Sequence, residues 1–249
     1  MQIVPGTEPW SADGDDIGVL LLHGFTGSPA SMRPWGQRMA EQGWTVRVPL
    51  MPGHGLPRWQ DANKTTWHDW YGEVERNFLE LRSRCRAVFA MGLSVGGAMS
   101  LRLAQQHHDD ITGLVLVNPA VLSEDKRLIV LPVLSRFVEG LPAATNDIAK
   151  PGQDEIAYPR MPLKALRSLT EFWKIVRADL PTVDQPLLLL NSAQDHLIET
   201  SSSEYVLDHV ASADKTHVVL SDSYHVATLD YDAEMIFSDS IDFVRRLTA

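Results

Sequence analysis

A serine stands between two glycines, Gly92-Leu93-Ser94-Val95-Gly96, directly after the apolar run Ala87-Val88-Phe89-Ala90-Met91. That order predicts a strand, a sharp turn and a helix in immediate succession. Residues Gly97 to His107 supply the helix, with Ala98, Leu101 and Ala104 spaced along one face. The turn leaves no room for side chains at its flanks, so Gly92 and Gly96 let neighbouring backbone approach while Ser94 projects from the strand tip. A hydroxyl held there is poised to attack a carbonyl.

The rest of the chain repeats the same alternation. Short apolar runs at Ile17 to Leu22, Trp44 to Val48, Ala87 to Met91, Leu114 to Val117, Leu187 to Leu190 and His217 to Leu220 read as strands. Most are continuously apolar, as strands covered on both faces must be. Ser28 followed by Pro29 predicts a helix start, with Gly43 as its end. Thr66 predicts another start, and Trp67, Trp70, Val74, Phe78 and Leu81 form its apolar stripe. Strands alternating with helices imply a mostly parallel α/β sheet with right-handed crossovers. One interval is too long for a single crossover. Between Asn118 and Leu187 lie Leu128-Ile129-Val130-Leu131, Phe137-Val138 and Leu141, broken by Pro132, Gly140 and Pro142, before a helical stretch from Leu163 to Ala178. Residues from about 120 to 161 read as a small cap inserted over the carboxyl ends of the strands, within one domain spanning 1–249.

At 249 residues and 44% hydrophobic content, one core suffices, for a chain of this size buries roughly three quarters of its unfolded surface. The single cysteine, Cys85, forms no internal disulfide and reads as a structural thiol. The stretch from Met1 to Asp16 has neither a basic start nor an apolar segment, and no run approaches the ~18 apolar residues of a membrane span. A cytoplasmic protein is expected. The net charge of -10 argues against nucleic acid or anionic membranes as partners. H-E-x-x-H, the Walker loop and G-x-G-x-x-G are all missing from the sequence, so neither metal nor organic cofactor is expected.

A nucleophilic serine requires a base, a group that orients the base, and donors for the oxyanion. Behind an elbow of this kind the partners follow in the order acid, then histidine, each on a loop after a strand. Asp195 follows the run Leu187 to Leu190 by one short loop, and His225 follows Val218-Val219-Leu220 by another. Asp222 and Glu199 compete for the acid, but the first serves the histidine's own turn and the second falls at a helix start. His217 lies in a strand pattern and His209 in a helix pattern. The loop His23-Gly24-Phe25-Thr26-Gly27 follows the first strand, so the amides of Phe25 and Val95 are candidate oxyanion donors, with His23 bracing the loop.

Taken together, His23 to Gly27, Pro52-Gly53-His54-Gly55, Gly92 to Gly97, Gln194-Asp195-His196 and Tyr224-His225-Val226 resemble the bacterial monoacylglycerol lipase and compact carboxylesterase branch of the α/β-hydrolases over almost the whole chain. The resemblance implies an α/β-hydrolase fold with Ser94, Asp195 and His225 as catalytic triad, and Phe25 and Val95 as oxyanion hole. It also implies an acyl chain held beneath the cap. Leu128, Ile129, Val130, Leu134, Phe137, Val138 and Leu141 are candidate tunnel residues, each equally at home as cap underside packed on the core. Glu155 occupies a segment similar to one where a cap carboxylate meets glycerol hydroxyls, and otherwise reads as a solvated charge.

The expected activity is hydrolysis of carboxylic esters, monoacylglycerols foremost, with transient contact with lipid aggregates. A broad carboxylesterase, a thioesterase or a carbon–carbon bond hydrolase could use the same triad, since fold does not fix substrate. A slow-turnover ligand receptor is the alternative from another class.

Overall fold

The computed structural model describes residues 2–249, and Met1 lies outside the described residues. In chain order the elements are β1 (Trp10–Ala12), β2 (Ile17–Leu22), α1 (Arg33–Ala40), β3 (Thr45–Val48), α2 (Trp67–Arg82), β4 (Ala87–Leu93), α3 (Val95–Gln106), β5 (Gly113–Val117), α4 (Leu131–Leu134), β6 (Gly140–Pro142), β7 (Arg160–Pro162), α5 (Leu163–Asp179), β8 (Leu187–Ser192), α6 (Thr200–His209), β9 (Lys215–Leu220) and α7 (Ala233–Thr248). Seven of the strands form one sheet in the order β1-β3-β2-β4-β5-β8-β9. Every neighbour pair is parallel except β1 with β3. The strand that carries Ser94 at its end is thus the middle one.

Side-chain alternation builds a core on each face of this sheet. Leu20, Leu22, Ala90, Leu114, Leu116, Leu187 and Leu189 face one way, against Trp70, Val74 and Phe78 of α2, Leu101 of α3 and Phe172 of α5. Val19, Leu21, Phe89, Met91, Val115, Val117, Leu188 and Leu190 face the other, against Trp35 and Met39 of α1 and Ile236 and Phe237 of α7. Trp35, Trp70, Phe78, Phe89 and Phe172 are among the largest fully buried side chains, each contributing about 1.5–3 kcal/mol by leaving water. The expected stripe on α2 is buried from Trp70 to Leu81, while Trp67 is half-buried.

The structure also departs from the sequence reading. Strand β1 was not expected; it is three residues long and owes its place to pairing with β3 and to Trp10 against Gly36, where a Cβ would lie 3.0 Å from the ring. Ser28 does cap, through Ala30 N–H, but it caps a short 3-10 turn at Pro29–Ser31, and α1 starts afresh at Arg33. Helix α1 ends at Ala40, and Gly43 (φ 88°) closes the following turn by donating to the Ala40 carbonyl. Cys85 is buried, and burial pushes its thiol up, in keeping with an inert role.

Between β5 and α5 the chain makes a 3-10 turn (Lys126–Ile129), the short helix α4 and the antiparallel ribbon β6–β7. Among the described residues no helix is long and apolar enough to cross a membrane.

Candidate active site

Ser94 sits in the left-handed half of backbone space (φ 57°, ψ −118°), a conformation that costs about 1–3 kcal/mol and persists only where its surroundings impose it. The surroundings are explicit. The Ser94 amide donates to the Val117 carbonyl at 2.9 Å, and its own carbonyl accepts from Gly97 (3.0 Å) and Ala120 (3.1 Å). The flanking glycines are sterically required: a Cβ on Gly92 would lie 2.2 Å from the Gly96 carbonyl carbon, and one on Gly96 would lie 2.0 Å from the Leu22 oxygen.

The structure brings His225 and Asp195 together, with Nδ1 and Oδ2 2.7 Å apart and both side chains nearly inaccessible. The other Asp195 oxygen, Oδ1, accepts from the amides of Leu197 and Ile198, each at 2.8 Å. Burial opposes the Asp195 charge, but the imidazole and these two amides outweigh it and hold the carboxyl below its usual range. Burial likewise opposes a charged His225, yet Asp195, Glu155 and Asp147 raise its pKa above the ordinary value. With Nδ1–H given to Asp195, Nε2 remains as the ring's acceptor. Asp222 is exposed and Glu199 occupies the N-cap of α6, so neither competitor partners His225. His217 lies in β9 and His209 ends α6.

Across from the serine, a Cβ on Gly24 would lie 3.4 Å from Ser94 Cβ, so the loop after β2 runs close against the elbow. Its geometry is set by neutral histidines. His23 Nε2 accepts from the Met51 amide (3.1 Å), which leaves Nδ1–H to donate to the Gly24 carbonyl (2.8 Å). Burial drives the His23 pKa down to about 3 and that of His54 to about 4. The Phe25 ring packs on His54 and Trp70, at 5.9 and 5.5 Å between centroids. Among the described residues the amides of Phe25 and Val95 donate to no other group of the chain. Tyr158 ties the next layer down, its amide donating to the Thr26 carbonyl and its hydroxyl to Gly53.

Ser94, His225, Phe25 and Glu155 all line one cavity of about 810 Å³, whose remaining wall is chiefly aliphatic. Glu155 Oε1 accepts from the Asn146 amide at 2.9 Å, and burial raises its pKa. Of the candidate tunnel residues, Leu128, Val130, Leu134 and Leu141 line the cavity. Ile129, Phe137 and Val138 do not: Ile129 and Phe137 are 80% and 84% exposed, and Val138 is half-buried outside the wall. The reason is periodicity. Leu128, Leu131 and Leu134 fall three apart on one side of the 3-10 turn and α4, which turns Ile129 outward, while Val130 reaches the cavity edge and is still 56% exposed. Leu166, Leu169 and Trp173 of α5 also line the wall; the sequence placed them in a helical stretch without marking them as cavity residues.

Two further residues escaped the sequence reading. Asn118 (φ 45°), at the tip of β5, donates to the His225 carbonyl (2.8 Å) and accepts from the Ser192 amide (2.7 Å). Its place directly after an apolar run, on the same rim as Ser94, was the available signal. Asp147 accepts from the His225 amide at 3.1 Å, and nothing local in the sequence marks it. Among the described residues no group of His, Cys, Asp and Glu is arranged to hold a metal ion.

Residues 16–232 match the family model described as serine aminopeptidase, S33. The chain is similar to the thermostable monoacylglycerol lipase of Bacillus sp. (strain H-257), with 37% identity over 97% of this chain and 95% of that relative. It is 28% identical to the carboxylesterase of Bacillus subtilis (strain 168), over 96% and 97% of the two chains. A solved structure reported for LipS and LipT, two metagenome-derived lipolytic enzymes, superposes with a TM-score of 0.95 at 36% identity, covering 98% of this chain and all of that one.

Proposed function

The chain belongs to the serine aminopeptidase S33 family of α/β-hydrolases, and from that membership we propose that it hydrolyses monoacylglycerols through an acyl-enzyme formed on Ser94. The observation that carries the reading is the cavity: Ser94, His225 and Glu155 line it together with a wall that is mostly aliphatic, among it Leu128, Leu131, Leu134, Leu166 and Leu169. A monoester of glycerol has that polarity, one apolar chain and one head with two hydroxyls.

The steps follow from the groups present. Nε2 of His225 takes the Ser94 proton as Oγ attacks the ester carbonyl, and Asp195 holds the ring in the tautomer that leaves Nε2 free. Negative charge develops on the carbonyl oxygen, where the amides of Phe25 and Val95 receive it; losing one such donor costs about 3 kcal/mol. His225 then returns its proton to the leaving glycerol oxygen, and water activated by the same ring releases the fatty acid. The free oxygen of Glu155 accepts from the glycerol hydroxyls. Residues of about 120 to 161 act as a cap that closes over a single acyl chain, and Ile129, Val133 and Phe137, exposed on the same segment whose Leu128, Leu131 and Leu134 line the cavity, suit transient contact with the lipid aggregate supplying it.

The test is a panel of monoacylglycerols, diacylglycerols and alkyl esters of equal acyl length. Glu155→Gln should lower kcat/KM on monoacylglycerols by about 1.5–3 kcal/mol, or ~10- to 150-fold, and leave the alkyl ester nearly untouched. Diacylglycerols should be poor substrates. Equal losses on both monoesters, or none on either, would favour a general carboxylesterase instead.

A further inference from the structure

The segment between β6 and β7 contributes more than Glu155. Asp147, one residue after the turn at Asn146 (φ 54°), reaches both loops that carry the acid and the base. Its Oδ2 accepts from the backbone N–H of His225 (3.1 Å) and of His196 (3.2 Å), the residue next to Asp195. Its Oδ1 lies 2.8 Å from His196 Nδ1, and its carbonyl accepts from the Val226 amide at 3.0 Å. Asn118 meanwhile holds the His225 carbonyl, so the base is gripped through both of its backbone polar groups.

Asp147 is itself presented from a fixed segment. Asp230, 1% exposed, accepts from the amides of Ala149 (2.7 Å), Lys150 (2.8 Å), Tyr224 (2.9 Å) and Tyr231 (2.9 Å), fastening the segment to the loop of the base. On its other side Asn146 and Glu155 exchange two hydrogen bonds of 2.9 Å, amide to side chain in each direction.

We propose that Asp147 is a positioning residue for this hydrolysis, setting the separation of the Asp195 and His225 loops and joining them to the segment that carries Glu155. The proposal rests on the triad reading above. A residue without a side-chain oxygen could not serve equally. Two backbone donors and the His196 ring converge on its carboxylate, and the acid–base pair is fixed by where those donors lie. The charged groups facing His225 are Asp195 from the loop after β8 and Glu155 and Asp147 from this segment, while His196 faces Asp147. All three carboxylates favour the protonated ring, so position and charge are separable by substitution.

The experiment compares Asp147→Ala and Asp147→Asn with the wild type in the full chain, measuring kcat, KM and the pH profile on a monoacylglycerol and on its matched alkyl ester. Asp147→Ala should lower kcat on both esters by ~10- to 100-fold with little change in KM, the size expected when reacting groups drift by about an ångström. Asp147→Asn keeps an oxygen for the two amides, so it should recover most of kcat while its acid limb moves to lower pH. An Asp147→Ala protein that turns over within twofold of wild type, or an Asp147→Asn protein with an unmoved acid limb, overturns the proposal. The second criterion stands even where the alanine variant does not fold. Ser94→Ala run alongside separates the two levels: an active Ser94→Ala removes the triad reading and this proposal with it, whereas an inactive one beside an unmoved Asp147→Asn limb removes the proposal alone.

Discussion

His54 is the place where pH should act on the fold, in a range below the one where it acts on the chemistry. The ring is buried among His23, Phe25, Trp70 and Tyr158; its Nδ1 lies 3.2 Å from the Pro52 carbonyl, and Nε2 has no partner. Its pKa falls to about 4 and that of His23 to about 3, against 6.5 for a free histidine. Between about pH 6 and 4.5 the unfolded chain therefore binds two protons that the folded chain refuses, and stability falls as pH falls, by about 1.4 kcal/mol per pH unit for each histidine. The pair together would remove about 4 kcal/mol over that window, out of the 5–15 typical of a domain. His225 does not blur the result. Its folded pKa is raised, so its contribution is complete below 6.5 and is lost only as pH rises through the folded value. Carboxylates shifted by the fold, Asp195 lowered and Glu155 raised, are common to wild type and variant. His54→Phe keeps an aromatic ring in the cluster and removes one titration, so urea unfolding across the window should show a slope of stability against pH about 1.4 kcal/mol per pH unit shallower than the wild type's. Equal slopes in the two proteins would refute the claim that His54 is held neutral.

Other outcomes follow from the same geometry. Gly96→Ala should destabilise the chain by about 3 kcal/mol or more, because its Cβ would meet the Leu22 oxygen at 2.0 Å, whereas Gly72→Ala on α2, with nothing within 4 Å, should stabilise by about 0.5–1 kcal/mol; thermal melts of both compare the two. Asp195→Asn should cut turnover by as much as ~10⁴-fold while Asp222→Asn retains most of it, and the reverse ranking in steady-state kinetics would reassign the acid. The acid limb of kcat/KM should lie above pH 6.5, since His225 must be neutral to take a proton and its neighbours raise its pKa; a limb below 6 would contradict that.

Much of this was legible along the chain because the signals were local. Strands β2, β4, β5 and β8 are buried on both faces, and such strands announce themselves as unbroken apolar runs. Ser94 stands at a strand tip and Asp195 and His225 on the loops after two later strands, in a fixed order, and the turn at Ser94 demands glycine on either side. What stayed hidden depends on partners far away in sequence. Asp147 meets His225 across 78 residues and Asn118 meets it across 107, and both bonds go to backbone groups that carry no residue-type signature. Strand β1 exists through its register with β3. Ile129 and Phe137 are as apolar as Leu128 and Leu134, so hydropathy could not tell the cavity wall from the exposed side of the same segment.

Ser94 as nucleophile is tested most directly by reacting the protein with a fluorophosphonate and mapping the adduct by mass spectrometry. One adduct on Ser94, at one per chain, with ester turnover lost in step, is the expected result. An adduct on Ser192, Ser123 or any other serine, or full labelling of Ser94 that leaves turnover intact, would contradict it.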